Sequence, residues 1–139
     1  TPELSRCTGE QIVNAYDNAI TYTDAFLSRA LDIVQQQTSH EGAFLYVSDH
    51  GESLGEYGLY LHGAPYAIAP QQQLHVPMVM WLSPELASDT GIDVPCLRAG
   101  ASRARSHDNL FHSVLGLFGV HTHAYESGKD IFAPCQIKA

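Results

Sequence analysis

The sequence predicts an α/β fold, and three observations carry that prediction. Ala43-Phe44-Leu45-Tyr46-Val47 is a continuous apolar and aromatic run of strand length, the pattern of a strand buried on both faces in a parallel sheet. A second such run spans His75 to Pro84, with Val76, Met78, Val79, Met80, Trp81 and Leu82. Ahead of both, residues 9 to 36 repeat apolar positions at the spacing of an amphipathic helix.

That helix opens at Thr8-Gly9-Glu10-Gln11, a capping box in which the threonine oxygen accepts from a backbone N–H and Gln11 reaches back. Ile12, Val13, Tyr16, Ile20, Thr23, Leu27, Ala30, Leu31 and Val34 form the stripe expected to pack on the sheet. Asn14, Asp17, Asp24 and Asp32 form a polar face, read as solvated, with a ligand role for Asp17 or Asp24 as the lesser alternative. The linker from Gln35 to Gly42 carries His40, an ordinary surface residue. After strand 43–47 the chain runs directly into Asp49-His50-Gly51. From Glu52 to Gln73 no helical or strand period persists, yet the segment holds too many aromatics for disorder, so it reads as an active-site loop bearing His62.

Proline near the start of the second strand sits where a missing N–H costs least; its Met and Trp residues are core, and His75 is structural. Residues 85 to 105, with Cys96, Arg98, Arg103 and Arg105, read as a solvated, irregular excursion. Ser106 caps a helix over 107–118 with Leu110, Phe111, Val114, Leu115 and Phe118 on its buried face and Gly119 as its left-handed stop. His121-Thr122-His123 would share one face of a strand and, near the chain end, reads as exposed. Ile131, Phe132 and Cys135 pin the end down, with a Cys96–Cys135 bridge expected.

Composition narrows the function classes. The 139 residues fit one domain; a chain of this length folding alone buries about 70% of its unfolded surface. With 45% hydrophobic and 16% charged residues it is globular, and a formal charge of −8 argues against a phosphate-tracking surface for nucleic acid or an anionic membrane. No apolar run approaches the roughly 20 residues that cross a bilayer, and the first residues do not read as a signal peptide. Eight histidines against seven lysines and arginines bias the chain toward metal or proton chemistry. Three cysteines without CxxC or CxxH spacing are no zinc knuckle; they fit an oxidising compartment, one disulfide and one cysteine left over, an odd count hinting at a missing part.

Asp49 and His50 stand just past the carboxyl end of strand 43–47, where open α/β sheets place their chemistry. A hard carboxylate oxygen beside an imidazole nitrogen suits zinc, which binds such atoms at about 2.0–2.2 Å. Zinc would polarise a phosphoryl oxygen and acidify a bound hydroxyl. Gly51 is expected to supply a tight turn through positive φ. His62, twelve positions after His50, would protonate a leaving oxygen or bind phosphate.

YVSDHGESLGEYGLYLHGAPYAIAP, then VPMVMWLS and SHDNLFHSVLGLFGV, with NAYDNAITYTDAFLSRAL before them, closely resemble the C-terminal part of the catalytic domain of bacterial phosphoethanolamine–lipid A transferases, a family that includes mobile colistin-resistance enzymes. The resemblance covers essentially the whole chain. It implies the three-layer α/β/α sandwich of the alkaline phosphatase and sulfatase-like superfamily, here only its C-terminal portion, with residues 1–139 as part of a periplasmic catalytic domain of the bacterial inner membrane. It implies that Asp49 and His50 are zinc ligands, that His62 meets substrate phosphate or a second metal, and that Glu52 supports the ligands or simply shapes the loop. The nucleophilic threonine, a further glutamate ligand and the membrane-spanning helices are all expected upstream of Thr1, as is a partner for Cys7. Phosphatidylethanolamine would be the donor and lipid A the acceptor. A hydrolase of the same superfamily, and a non-catalytic truncated module, are the alternatives.

Overall fold

The computed structural model describes residues 4–137. The chain divides into two compact units, Thr1–Trp81 and Leu82–Ala139.

In the first unit, helix α1 runs Gly9–Gln35, and the capping box forms as expected: Gln11 N–H donates to Thr8 Oγ1 at 3.2 Å and Thr8 N–H to Gln11 Oε1 at 2.9 Å. Ile12 is buried and Tyr16, Thr23, Leu27, Ala30, Leu31 and Val34 are half-buried, the helical period read from the sequence. Val13 and Ile20, expected on the same face, are exposed, as are Tyr22, Phe26 and Ile33. The helix lies against strand β1, Ala43–Val47, and against the short strand β2, Ser53–Leu54. Gly42 permits that approach, because a Cβ there would stand 3.2 Å from Val34 Cγ1 and 3.3 Å from the Trp81 ring.

β1 is half-buried rather than buried on both faces, and its first residue is exposed. Among the described residues its sheet has only one other strand, too narrow a sheet to cover two faces. The segment expected to be irregular contains small regular pieces. β2 pairs antiparallel with strand β3, Tyr60–Leu61, through Ser53 opposite Leu61 and Leu54 opposite Tyr60. A 3-10 turn at Glu56–Gly58 joins them, with Tyr57 at φ 54° and Leu61 at φ 65° in the left-handed region. Helix α2, Gln71–Leu74, follows, and strand β4, Met78–Leu82, completes the sheet beside β1. Pieces of two to four residues fall below the length over which a periodicity can be seen.

In the second unit, the excursion expected to be irregular holds two helices, α3 over Pro84–Asp89 and α4 over Val94–Ala99. Each starts on a capping side chain followed by proline in the first turn: Ser83 Oγ accepts from Leu86 N–H at 3.1 Å and Asp93 Oδ1 from Cys96 N–H at 3.2 Å. The expected Cys96–Cys135 disulfide is present, with the Cα atoms 5.6 Å apart, and Cys7 is free. Ile131 and Phe132 are buried, and Asp93 N–H donates to Cys135 O at 2.8 Å, so the end is pinned as expected.

Helix α5 spans Asp108–Leu117 and stops at Gly119, φ 60°. Its buried face is not the apolar one. Phe111, Val114 and Phe118 are exposed, whereas His112 and Ser113 are buried. The chain end binds this polar face: Ile131 N–H donates to Ser113 Oγ at 2.9 Å, Glu126 N–H to His112 Nδ1 at 3.0 Å, and Asn109 Nδ2 to Lys129 O at 2.7 Å. Asp130, 1% exposed, packs its carboxylate where a side chain at Gly116 would stand, accepting from Tyr125 Oη at 2.7 Å and Phe132 N–H at 2.8 Å. The chain end thus finds partners for its polar groups on this face of the helix.

Candidate metal centre

The centre is assembled by three short stretches of the first unit: the turn after β1, the residue before β2, and the residue that follows β3. Asp49 and His50 leave β1 together. Asp49 Oδ1 accepts the His50 N–H at 3.1 Å, which turns Oδ2 toward the ring, 3.7 Å from His50 Nε2. His50 Nδ1 lies 3.0 Å from Gly51 O. A carbonyl only accepts, so Nδ1 carries the ring hydrogen and Nε2 keeps its lone pair, the arrangement in which imidazole ligates a metal. Two atoms each about 2.0–2.2 Å from one tetrahedral zinc lie about 3.4 Å apart. The observed separation is close to that edge.

His62 comes close to both His50 and Glu52. Its ring centroid is 3.9 Å from that of His50, and its Nδ1 is 2.7 Å from Glu52 Oε1. One ligand atom from each of His50, Glu52 and His62 falls within 4.8 Å of the other two. Asp49 is outside this trio and its side chain is 89% exposed, so the two donor sets share His50. Glu52 is one of the trio. Its Oε2 is buried without a hydrogen-bond partner, an uncompensated acceptor that a cation would satisfy. The donor chemistry, imidazole nitrogen with carboxylate oxygen, fits zinc.

The glycine in this turn has a different purpose from the one expected. Gly51 is not among the residues with positive φ; instead, a Cβ at that position would overlap the carbonyl oxygen of Gln72. Its own N–H donates to Gln73 O at 3.0 Å, so the missing side chain is what lets the Asp49-His50 turn lie against α2. Backbone strain belongs to the loop that delivers His62, where Gly55, Gly58 and Gly63 adopt φ of 128°, 76° and 96° beside Tyr57 and Leu61.

With this geometry in place, the relationships of the chain are informative. The sulfatase family model matches residues 2–120. The chain belongs to the sulfatase family. As a sulfatase-family protein it has solved relatives of the same α/β fold: the soluble domain of lipooligosaccharide phosphoethanolamine transferase A from Neisseria meningitidis matches at TM-score 0.94 and 44% identity, over 99% of this chain and 42% of that one. The C-terminal periplasmic domain of phosphoethanolamine transferase EptC from Campylobacter jejuni matches at TM-score 0.85 and 42% identity, over 100% of this chain and 43% of that one. Phosphoethanolamine transferase EptA of Salmonella typhimurium is 45% identical over 98% of this chain and 25% of its own length. This sulfatase-family chain therefore spans about a quarter of the length of that relative. Among its described residues no helix is long and apolar enough to cross a membrane.

Proposed function

We propose that this chain carries the metal-binding part of a zinc-dependent phosphoethanolamine transferase that moves phosphoethanolamine from phosphatidylethanolamine to a lipid A phosphate on the periplasmic side of the bacterial inner membrane. The observation that carries the reading is the convergence of Asp49 Oδ2 and His50 Nε2 to 3.7 Å, with the other ring nitrogen turned onto Gly51 O. The similarity to phosphoethanolamine transferases along nearly the whole chain supports it.

Asp49 and His50 would hold zinc, with Glu52, grouped with His50 and His62, as a neighbouring carboxylate. Bound there, zinc supplies Lewis acidity toward a phosphoryl oxygen. Glu52 Oε1 accepts the Nδ1–H of His62, because an ionised carboxylate only accepts, and this leaves His62 Nε2 to meet a phosphoryl or leaving oxygen and to exchange a proton with it. Such a transfer places an ethanolamine ammonium on a lipid A phosphate. The lower negative charge weakens binding of cationic peptides such as polymyxin and colistin. No residue here is assigned as the nucleophile, so residues 1–139 alone are not expected to turn over.

Zinc titration tests the site. Wild type is expected to bind tightly, and Asp49→Ala and His50→Ala to lose at least 10-fold in affinity, as ligand removal exceeds the roughly 10–100-fold cost of losing a supporting contact. Equal affinity in all three would refute the site. Phosphoethanolamine transfer by residues 1–139 alone would mean that a nucleophile within them was overlooked. The sulfatase-family match favours one second reading, a phosphodiesterase or sulfatase in which water accepts the group; release of free product without a lipid acceptor distinguishes it.

A further inference from the structure

We infer that Gln73 is a positioning residue that locks the three metal-site segments into one register. The inference rests on the proposed zinc site and concerns how that site is held. Gln73 lies in α2, outside every motif that carries the resemblance to the transferases' ligands, and is 6% exposed. Its backbone oxygen accepts from Gly51 N–H at 3.0 Å, its Oε1 accepts from Ala64 N–H at 3.2 Å, and its Nε2 donates to Ser53 Oγ at 2.8 Å. Ser53 is itself 1% exposed.

Each partner lies within two residues of a proposed metal-site residue. Gly51 follows His50, Ser53 follows Glu52, and Ala64 comes two residues after His62. One side chain and its own carbonyl thus tie together segments that reach the site from β1, β2 and β3. The side-chain part of the clamp needs an acceptor and a donor at the same reach, which a primary amide has. In a buried setting both contacts are directional, and losing either leaves a backbone N–H or a hydroxyl without its partner. The loop between Ser53 and Ala64 contains two non-glycine residues with positive φ, so it needs such outside contacts to keep its shape. Metal affinity falls steeply when donors drift, so contacts behind the ligands matter alongside the ligands' identity.

The test measures zinc affinity by competition and the visible absorption of the Co2+-loaded protein, a readout of ligand geometry, in wild type, Gln73→Met and Ser53→Ala. Methionine keeps the volume and removes both polar contacts; alanine at Ser53 removes one and leaves the Ala64 contact. Gln73→Met is expected to weaken zinc binding by about 10–100-fold and to shift the Co2+ bands, with Ser53→Ala shifting both in the same direction by less. Wild-type affinity and unshifted bands in both variants would overturn the inference, whatever happens to the apo melting temperature. If Gln73→Met does not fold, Ser53→Ala alone decides. Failure of wild type to bind zinc would instead refute the metal site itself.

Discussion

Replacing Gly51 with alanine should damage both the fold and the ligand turn, and the size of the effect follows from what surrounds it. A Cβ there would overlap the carbonyl oxygen of Gln72, with the Gln72 carbonyl carbon at 3.0 Å and Gln73 Cα at 3.5 Å. These are backbone atoms, which cannot swing aside as a side chain can. Either α2 retreats or the Gly51 N–H to Gln73 O bond of 3.0 Å breaks. Overpacking costs about 1–3 kcal/mol and a lost internal hydrogen bond about 1 kcal/mol. Restricting the unfolded chain returns about 0.4–1 kcal/mol. A net loss of about 2 kcal/mol is expected, read as a fall of about 1 M in the urea midpoint at unchanged slope. Because His50 and Glu52 flank the displaced residue, zinc affinity should fall about 10-fold or more in the same variant. Gly9→Ala is the control: no atom lies within 4 Å of a Cβ there, and its stability should stay level or rise by about 0.5 kcal/mol. A Gly51→Ala protein within about 0.5 kcal/mol of wild type and equal in zinc affinity would refute the reasoning.

Reduction of the Cys96–Cys135 bridge, or Cys96→Ala with Cys135→Ala, opens a loop with a sequence separation of 39 and should lower stability by about 4 kcal/mol, read from denaturant midpoints with and without reductant. Tyr125 gives a pH signature. Donating its hydroxyl to Asp130, with burial adding to the effect, pushes its phenol from 10.0 up to about 12, so the folded chain keeps a proton that the unfolded chain releases. The stability this contributes is complete below about pH 10 and is lost as pH rises through about 12. Tyr125→Phe should abolish that alkaline decline and lower stability near pH 7 by about 1.5–3 kcal/mol, since it removes a donor from a buried carboxylate; a wild-type-like alkaline profile in the variant would contradict the assignment.

The long helix was legible because its information is local: Thr8 and Gln11 are three residues apart, and the stripe from Ile12 to Val34 repeats within each turn. Strand 43–47, the Gly119 stop and the pinned end from Ile131 to Cys135 were readable on similar grounds. The caps of α3 and α4, Ser83 before Pro84 and Asp93 before Val94-Pro95, were also present in the sequence, but six-residue helices are too short for a period to confirm them. The orientation of α5 was not readable. Its apolar residues point one way, and the tail, carrying backbone N–H groups and Asp130, approaches from the other.

By itself, then, the sequence determined where α1, β1, β4 and α5 lie, that Asp49 and His50 follow a strand end, and that His62 rides on a glycine-rich loop. Tertiary structure alone decided that Glu52 meets His62 ten positions away, that Gly51 is needed for close approach rather than for an unusual φ, and that Gln73, indistinguishable in sequence from Gln71 and Gln72, is the residue bonded to all three segments. Periods and caps are set by atoms three or four residues apart, whereas convergence over ten or twenty residues depends on the path of the folded backbone, which no local pattern encodes.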